Sequence, residues 1–257
     1  MKIITSVKCV PDAESLHTEP GRSLNLSDCV WQISPYDMNA IEAAAKLRDS
    51  YDDVHIVSLT AGGAAVDDSR RRKDILSRGA EKLFCIRDDS LQGDGADPLY
   101  TAAALAAGIK KIGDADLVIF GEGSGDMYAQ QTGLMVGALL GWPVLNAVTD
   151  IRIEDGHLIV RRTVESAAEV YRVNMPAVLC VTSDLNTPRF VSVRDTLSAG
   201  KKPFETWSLA DLDCVPEHGS ISGGVIAPSE TSRRCEVYQS MDDEAVAAIT
   251  EQLKKFL

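Results

Sequence analysis

The densest chemistry in the chain lies in Gly121-Glu122-Gly123-Ser124-Gly125-Asp126-Met127-Tyr128-Ala129-Gln130-Gln131-Thr132-Gly133. Glycines at every second position, directly after the apolar run Leu117–Phe120, let a backbone approach a ligand closely and take positive φ angles. The segment feeds a helical pattern whose first-turn N–H groups and dipole favour an anion. Gln131 and Thr132 add side-chain donors that suit a phosphate. The spacing is neither GxGxxG nor the GxxxxGKS/T of a P-loop, so neither a dinucleotide dehydrogenase nor a nucleoside triphosphatase follows from it. A plain glycine-rich turn between strand and helix is the bland alternative.

Two other places converge on the same expected sheet edge. Ser6 closes the first strand pattern, and Leu59 with Thr60-Ala61-Gly62-Gly63 closes the second. Ser34-Pro35-Tyr36-Asp37 opens a helix, with Pro35 at the first helical position. Together these residues could hold an adenosine monophosphate half. Apolar walls would take the base, Asp37 a ribose or loop contact, and helix-terminal N–H groups the phosphate. Alternatively Ser34 and Asp37 form a capping box, worth about 1 kcal/mol to the helix.

Other constellations are lacking. The six cysteines (9, 29, 85, 180, 214 and 235) form no CxxC pair, and Cys85 and Cys180 sit in apolar runs as small core hydrophobes. The four histidines (17, 55, 157 and 218) are dispersed, without metal-ligand spacing or a nucleophile partner. Arg70-Arg71-Arg72-Lys73 is the one basic run; on a helix it points around the whole circumference, among Asp67, Asp68 and Asp74. A solvated, salt-bridged face is expected there. The chain reads as a binding scaffold more than a catalyst.

The elements that position these residues form an α/β pattern. Strands are expected at Ile3–Val7, Val54–Leu59, Lys82–Ile86 and Leu117–Phe120. Helices are expected at Ser34 onward, about 65–78 (ended by Gly79), Leu99–Ile112 and Thr132–Leu140. That alternation predicts a layered, mostly parallel sheet, Rossmann-like in plan. From about 148 the period changes to an antiparallel hairpin, Ile151–Ile153 with Leu158–Val164, followed by strands at Val170–Val173 and Ala177–Val181. Residues 1–203 are expected to form this nucleotide-binding α/β domain. Residues 204–257 are expected to be a loosely joined arm ending in an amphipathic helix over 242–257.

The whole chain has 257 residues, 45% hydrophobic and 25% charged, with a net charge of −12. That composition suits a globular protein, and the acidic balance argues against nucleic acid as a partner. The longest apolar runs fall short of a membrane span, and the start leads straight into a strand pattern, so a cytoplasmic chain without membrane insertion is expected.

Several stretches together resemble the β subunit of electron transfer flavoproteins, in its FixA-like branch. They are Val7-Lys8-Cys9-Val10-Pro11-Asp12, Ile33-Ser34-Pro35-Tyr36-Asp37-Met38-Asn39-Ala40-Ile41-Glu42-Ala43, Arg72-Lys73-Asp74-Ile75-Leu76-Ser77-Arg78-Gly79, Asp126-Met127-Tyr128-Ala129-Gln130-Gln131 and Ala199-Gly200-Lys201-Lys202-Pro203. Order and spacing hold over nearly the whole chain. The resemblance implies a domain like that of adenine-nucleotide α-hydrolase relatives, forming a heterodimer with an α subunit that carries the redox FAD. The β subunit would hold AMP or a second FAD. The site would be lined by Ser6, Ser34, Pro35, Tyr36, Asp37 and Leu59 together with Gly121, Glu122, Gly123, Ser124, Gly125, Asp126, Met127, Tyr128, Ala129, Gln130, Gln131 and Thr132. Tyr36 would lie near the α-subunit flavin.

The same resemblance places a partner-recognition loop at Thr187–Lys202, with Val193 as its apolar anchor and Leu197 one turn on. An acyl-CoA dehydrogenase or quinone-reductase type of partner would dock there. Two departures stand out: Ala13 occupies a position that is aromatic in mitochondrial members, and their acidic run is reduced here to Asp126. The implied role is electron relay by a carrier subunit; with a second FAD it would become an NADH-oxidising, bifurcating flavoprotein. A stand-alone adenine-nucleotide sensor of the universal-stress type is the main rival. A carboxylate-adenylating enzyme is a weaker one, because the glycine loop has no lysine.

Overall fold

The computed structural model describes residues 1–91, 97–165, 167–220, 223–229, 235–240 and 242–255. Apolar residues on both sides of the strand pleat require helices on both faces of a sheet, and the chain supplies them. Strand β1 (Lys2–Val7) is central. Short strands β2 (Cys9–Pro11) and β5 (Trp31–Ile33) pair antiparallel in a separate two-stranded sheet, and β3 (His17–Thr18) pairs with β4 (Leu24–Asn25) in another. Then follow α1 (Pro35–Ser50), β6 (His55–Gly62), α2 (Ser69–Ser77), β7 (Lys82–Arg87), α3 (Pro98–Ile112), β8 (Leu117–Gly121) and α4 (Thr132–Leu140). The later elements are β9 (Val144–Glu154), β10 (His157–Val164), β11 (Ala167–Val173), β12 (Ala177–Val181), α5 (Val193–Ala199), β13 (Phe204–Trp207) and α6 (Asp243–Leu253).

Nine strands make the main sheet in the order β11-β10-β9-β12-β8-β1-β6-β7-β13. All neighbours from β9 to β13 run parallel, and β10 and β11 extend the sheet as an antiparallel hairpin. The fold is the layered α/β architecture expected. Alternation within β1 serves both faces: Ile3 and Val7 join the core with Ala40, Ala44, Leu47, Ile75 and Leu76 of α1 and α2. Ile4 joins the opposite core with Ala102, Leu105 and Ile109 of α3 and Val136 of α4. After β1 the chain lays β6 and β7 on one side and then crosses to place β8 on the other. The crevice at the carboxyl ends of β1 and β8 is therefore the topological switch point of the sheet.

Three local expectations are corrected. The helix expected over 65–78 is a 3₁₀ turn (Ala64–Asp67) followed by α2. Asp68 accepts the amides of Arg70 and Arg71 at 2.9 and 3.0 Å and so caps α2 where a longer helix would run through. Ser34 and Asp37 do not form a capping box, because both side chains reach long-range amides instead. Gly121, Gly123 and Gly125 do not take positive φ; in that loop the left-handed residues are Tyr128 (φ +46°) and Gln130 (φ +56°).

The polar composition after 203 also conceals β13. It lies beside β7, with Trp207 stacked on Phe84 at 4.8 Å. The described residues divide into two compact units, 1–226 and 227–257. In the second, Asp242 caps α6 by accepting the Ala245 amide at 2.8 Å, and Val246, Ile249 and Leu253 share one exposed side of that helix. The last two residues of the expected terminal helix lie outside the described residues.

Candidate functional site

The switch-point crevice holds a pocket built from the ends of three strands, the starts of three helices and the loops beside them. The end of β1 gives Ser6 and Val7 with Lys8 after it, β8 and its loop give Phe120 to Ser124, and the loop before α4 gives Met127 and Ala129 to Gln131. Thr132 and Gly133 of α4 complete one end. Asp97 before α3, Pro98, Thr101 and Leu105 in it, and Ala61 and Leu91 complete the other side.

Asp37, in the first turn of α1, ties this pocket together. It is 6% exposed, and its carboxylate accepts the Lys8 amide at 2.7 Å and the Gly121 amide at 3.1 Å. One side chain thus joins the ends of β1 and β8 to α1. Burial pushes its carboxyl up to about 7, against the pull of the two amide donors and of Lys8. Ser34 is fully buried and accepts the Gly125 amide at 3.3 Å, holding the far side of the glycine loop.

Lys8 Nζ meets both oxygens of Asp126, at 2.8 and 2.7 Å. Burial by itself would raise Asp126, but Lys8 and nearby donors hold it below the usual carboxylate range. Tyr128 stands outside the pocket, with its ring 4.9 Å from that of Tyr36, and donates to Glu122 at 2.9 Å. Desolvation and that acceptor push its phenol up to about 12.

Glycine is required in this loop by close approach. A Cβ on Gly121 would lie 2.6 Å from the Tyr36 carbonyl carbon and 2.8 Å from Asp37 Oδ1, and one on Gly123 would lie 2.4 Å from the Tyr128 ring. The strain that does exist falls on Tyr128 and Gln130, held in the left-handed region where side chains are unfavourable.

The two helices that start at the pocket differ. Asp97 caps α3, accepting the amides of Leu99 at 2.7 Å and Tyr100 at 3.1 Å, while its other oxygen takes the amide and hydroxyl of Ser220. Burial opposes its charge, yet these donors hold the carboxyl down at about 2. The first turn of α4 has no side-chain cap, so its N–H groups remain for a ligand. An anion is therefore favoured at α4 and disfavoured at α3.

A second cavity of about 540 Å³ adjoins the first. The two share Lys8, Ala61, Leu91 and Met127, and Trp31, Leu16 and Leu24 give the second an apolar wall. Among the described residues no group of three His, Cys, Asp or Glu is placed to hold a metal, and no helix is long and apolar enough to cross a membrane.

Residues 25–212 match the family model of the electron transfer flavoprotein domain. The chain belongs to that family. The electron transfer flavoprotein match takes in α1, β8, the glycine loop, α4 and the 187–202 segment, while Ser6 of β1 and Lys8 just after it precede the match. Association with flavin belongs to the electron transfer flavoprotein family in general.

Of the residues singled out in the sequence, Ser6, Asp37, Gly121, Glu122, Gly123, Ser124, Met127, Ala129, Gln130, Gln131 and Thr132 line the first pocket. Gly125, Asp126 and Met127 line the second cavity. Leu59 lies in the core on the α3 side and does not reach the pocket wall. Pro35 packs near Gly125, and Tyr36 packs on Tyr128. Val193 and Leu197 are exposed on α5, away from the pocket. Ala61, from the expected end of the second strand, is a wall residue as well, whereas sequence reasoning missed Lys8, Leu91, Asp97 and Thr101. Asp97 carried a signal, since its Asp-Pro start to α3 marks a helix pointing at the same sheet edge.

Proposed function

We propose that this chain is the β subunit of a heterodimeric electron transfer flavoprotein, holding AMP or a second FAD in the switch-point pocket. The α subunit would carry the redox FAD. The observation that carries this reading is the uncapped first turn of α4, which faces the pocket while the carboxylates of Asp37 and Asp97 are already occupied by backbone amides. A phosphate fits that end, with Thr132 and Gln131 as added donors, and the apolar wall of Ala61, Leu91, Leu105 and Phe120 suits a base. The adjoining cavity gives room for a ligand longer than AMP.

Bound flavin would supply the electron chemistry. The chain's own residues bind and orient the nucleotide and keep water from it. The exposed Val193 and Leu197 are assigned to docking of an acyl-CoA dehydrogenase or quinone-reductase type of partner, and residues 204–257 to gripping the α subunit.

The test is to purify the chain with its α subunit, release ligands with acid, and count nucleotides. One FAD and one AMP per heterodimer supports a single-flavin shuttle. Two FAD and no AMP supports a second flavin here and NADH oxidation at this subunit. Absence of any nucleotide beyond the α-subunit FAD, or failure to form a heterodimer, refutes the reading.

A further inference from the structure

The segment before α5 is fastened to α1 by one guanidinium. Arg189 Nε donates to Glu42 Oε2 at 2.8 Å and its Nη2 to Glu42 Oε1 at 3.0 Å, while the Arg189 backbone amide reaches the same Oε2 at 3.1 Å. Nη2 also donates to Asp49 Oδ2 at 2.8 Å, one helical stretch further along α1. Glu42 is only 5% exposed, and burying a carboxylate is costly unless it is hydrogen-bonded to a partner. The fork geometry is one that arginine provides and lysine does not.

Three residues earlier, Asn39 and Asn186 exchange hydrogen bonds. The Asn39 amide donates to the Asn186 carbonyl at 2.8 Å, and the Asn186 amide to the Asn39 carbonyl at 3.0 Å. At the far end of the segment, Lys202 Nζ donates to the carbonyls of Leu76 and Ala80, at 2.8 and 2.7 Å, next to the end of α2. Between these two fastenings, Phe190 is fully exposed, Val193 is 79% exposed and Leu197 72%.

We infer that Arg189, clamped by Glu42 and Asp49, is the positioning residue that holds segment 190–197 in the conformation presented to a redox partner. It rests on the docking role proposed above for Val193 and Leu197. None of Arg189, Glu42 and Asp49 lines the nucleotide pocket. Phe190, next to the backbone held at 189, is a third exposed apolar side chain, and a segment fixed beforehand loses less freedom when it docks.

The test uses the full chain with its α subunit and two variants. Arg189→Lys keeps the charge and loses the fork; the double variant Glu42→Gln, Arg189→Met removes the buried pair and leaves only the exposed Asp49 carboxylate without its arginine. Hydrogen exchange of amides 189–198 is expected to quicken about tenfold or more in both, with exchange at 121–132 and bound nucleotide unchanged. With an acyl-CoA dehydrogenase as electron donor, KM for the dehydrogenase is expected to rise about tenfold and kcat to stay within about twofold. Exchange at 189–198 equal to wild type in both variants overturns the clamp. Faster exchange with an unchanged KM, or a wild-type heterodimer that takes no electrons from the dehydrogenase, overturns the docking role instead.

Discussion

Gly121 donates its amide to Asp37 across 84 residues of chain, and a Cβ at Gly121 would stand 2.8 Å from the oxygen that accepts it. The absence of a side chain on one residue and the carboxylate of the other are thus one feature. Gly121→Ala is expected to push β8 away from α1. It should cost about 1–3 kcal/mol in urea unfolding, by the usual cost of overpacking, and weaken AMP binding by calorimetry. Unchanged values of both would refute the brace.

Asp37 also gives a pH signature. Its folded carboxyl titrates near 7 against an ordinary 3.8, so between about 4 and 7 the folded chain binds more protons than the unfolded one. This group therefore stabilises the fold relatively more at low pH, and its contribution is lost as pH rises through that window. Wild type minus Asp37→Asn, followed by urea midpoint from pH 4 to 8, is expected to slope downward.

Asp97 has the opposite sign. Its carboxyl lies near 2 in the fold, so its stabilisation is complete above the ordinary 3.8 and fades as pH falls towards 2. Asp97→Ala removes the α3 cap, expected to cost about 1–2 kcal/mol at neutral pH. It also frees Ser220, so hydrogen exchange in 215–220 is expected to quicken.

At α4 stability and binding separate. Thr132→Glu places a carboxylate in an uncapped first turn, which should stabilise the helix by about 0.3–1 kcal/mol. The same charge occupies the expected phosphate position. Thermal unfolding without ligand should move up slightly while AMP affinity falls at least about tenfold. An AMP affinity equal to that of wild type would place the phosphate elsewhere.

What the sequence made legible was what is local. β12 and α4 match their expected bounds because an apolar run and a helical period are read within a few residues, and a Gly-Trp-Pro stop follows α4. Asp37 looked like a cap because caps are local, whereas its amide partners lie 29 and 84 residues away. Lys8 and Asp126 meet across 118 residues, and Arg189 and Glu42 across 147. No spacing rule links such pairs. The short strands β2 and β13 were hidden for a related reason: strands of three and four residues carry too few alternations to show a period.

Helix α1 carries Asp37 in its first turn and Asp49 near its end, twelve residues on. At 1.5 Å per residue that is a rod of about 18 Å. One end belongs to the switch-point pocket and the other to the ion pair with Arg189. A partner pressing on segment 190–197 meets a strut braced against the sheet, so the interval between visitor and pocket is gauged by helix pitch. Insertion of a single residue into α1 would change that interval and turn the clamp about 100° away from its arginine.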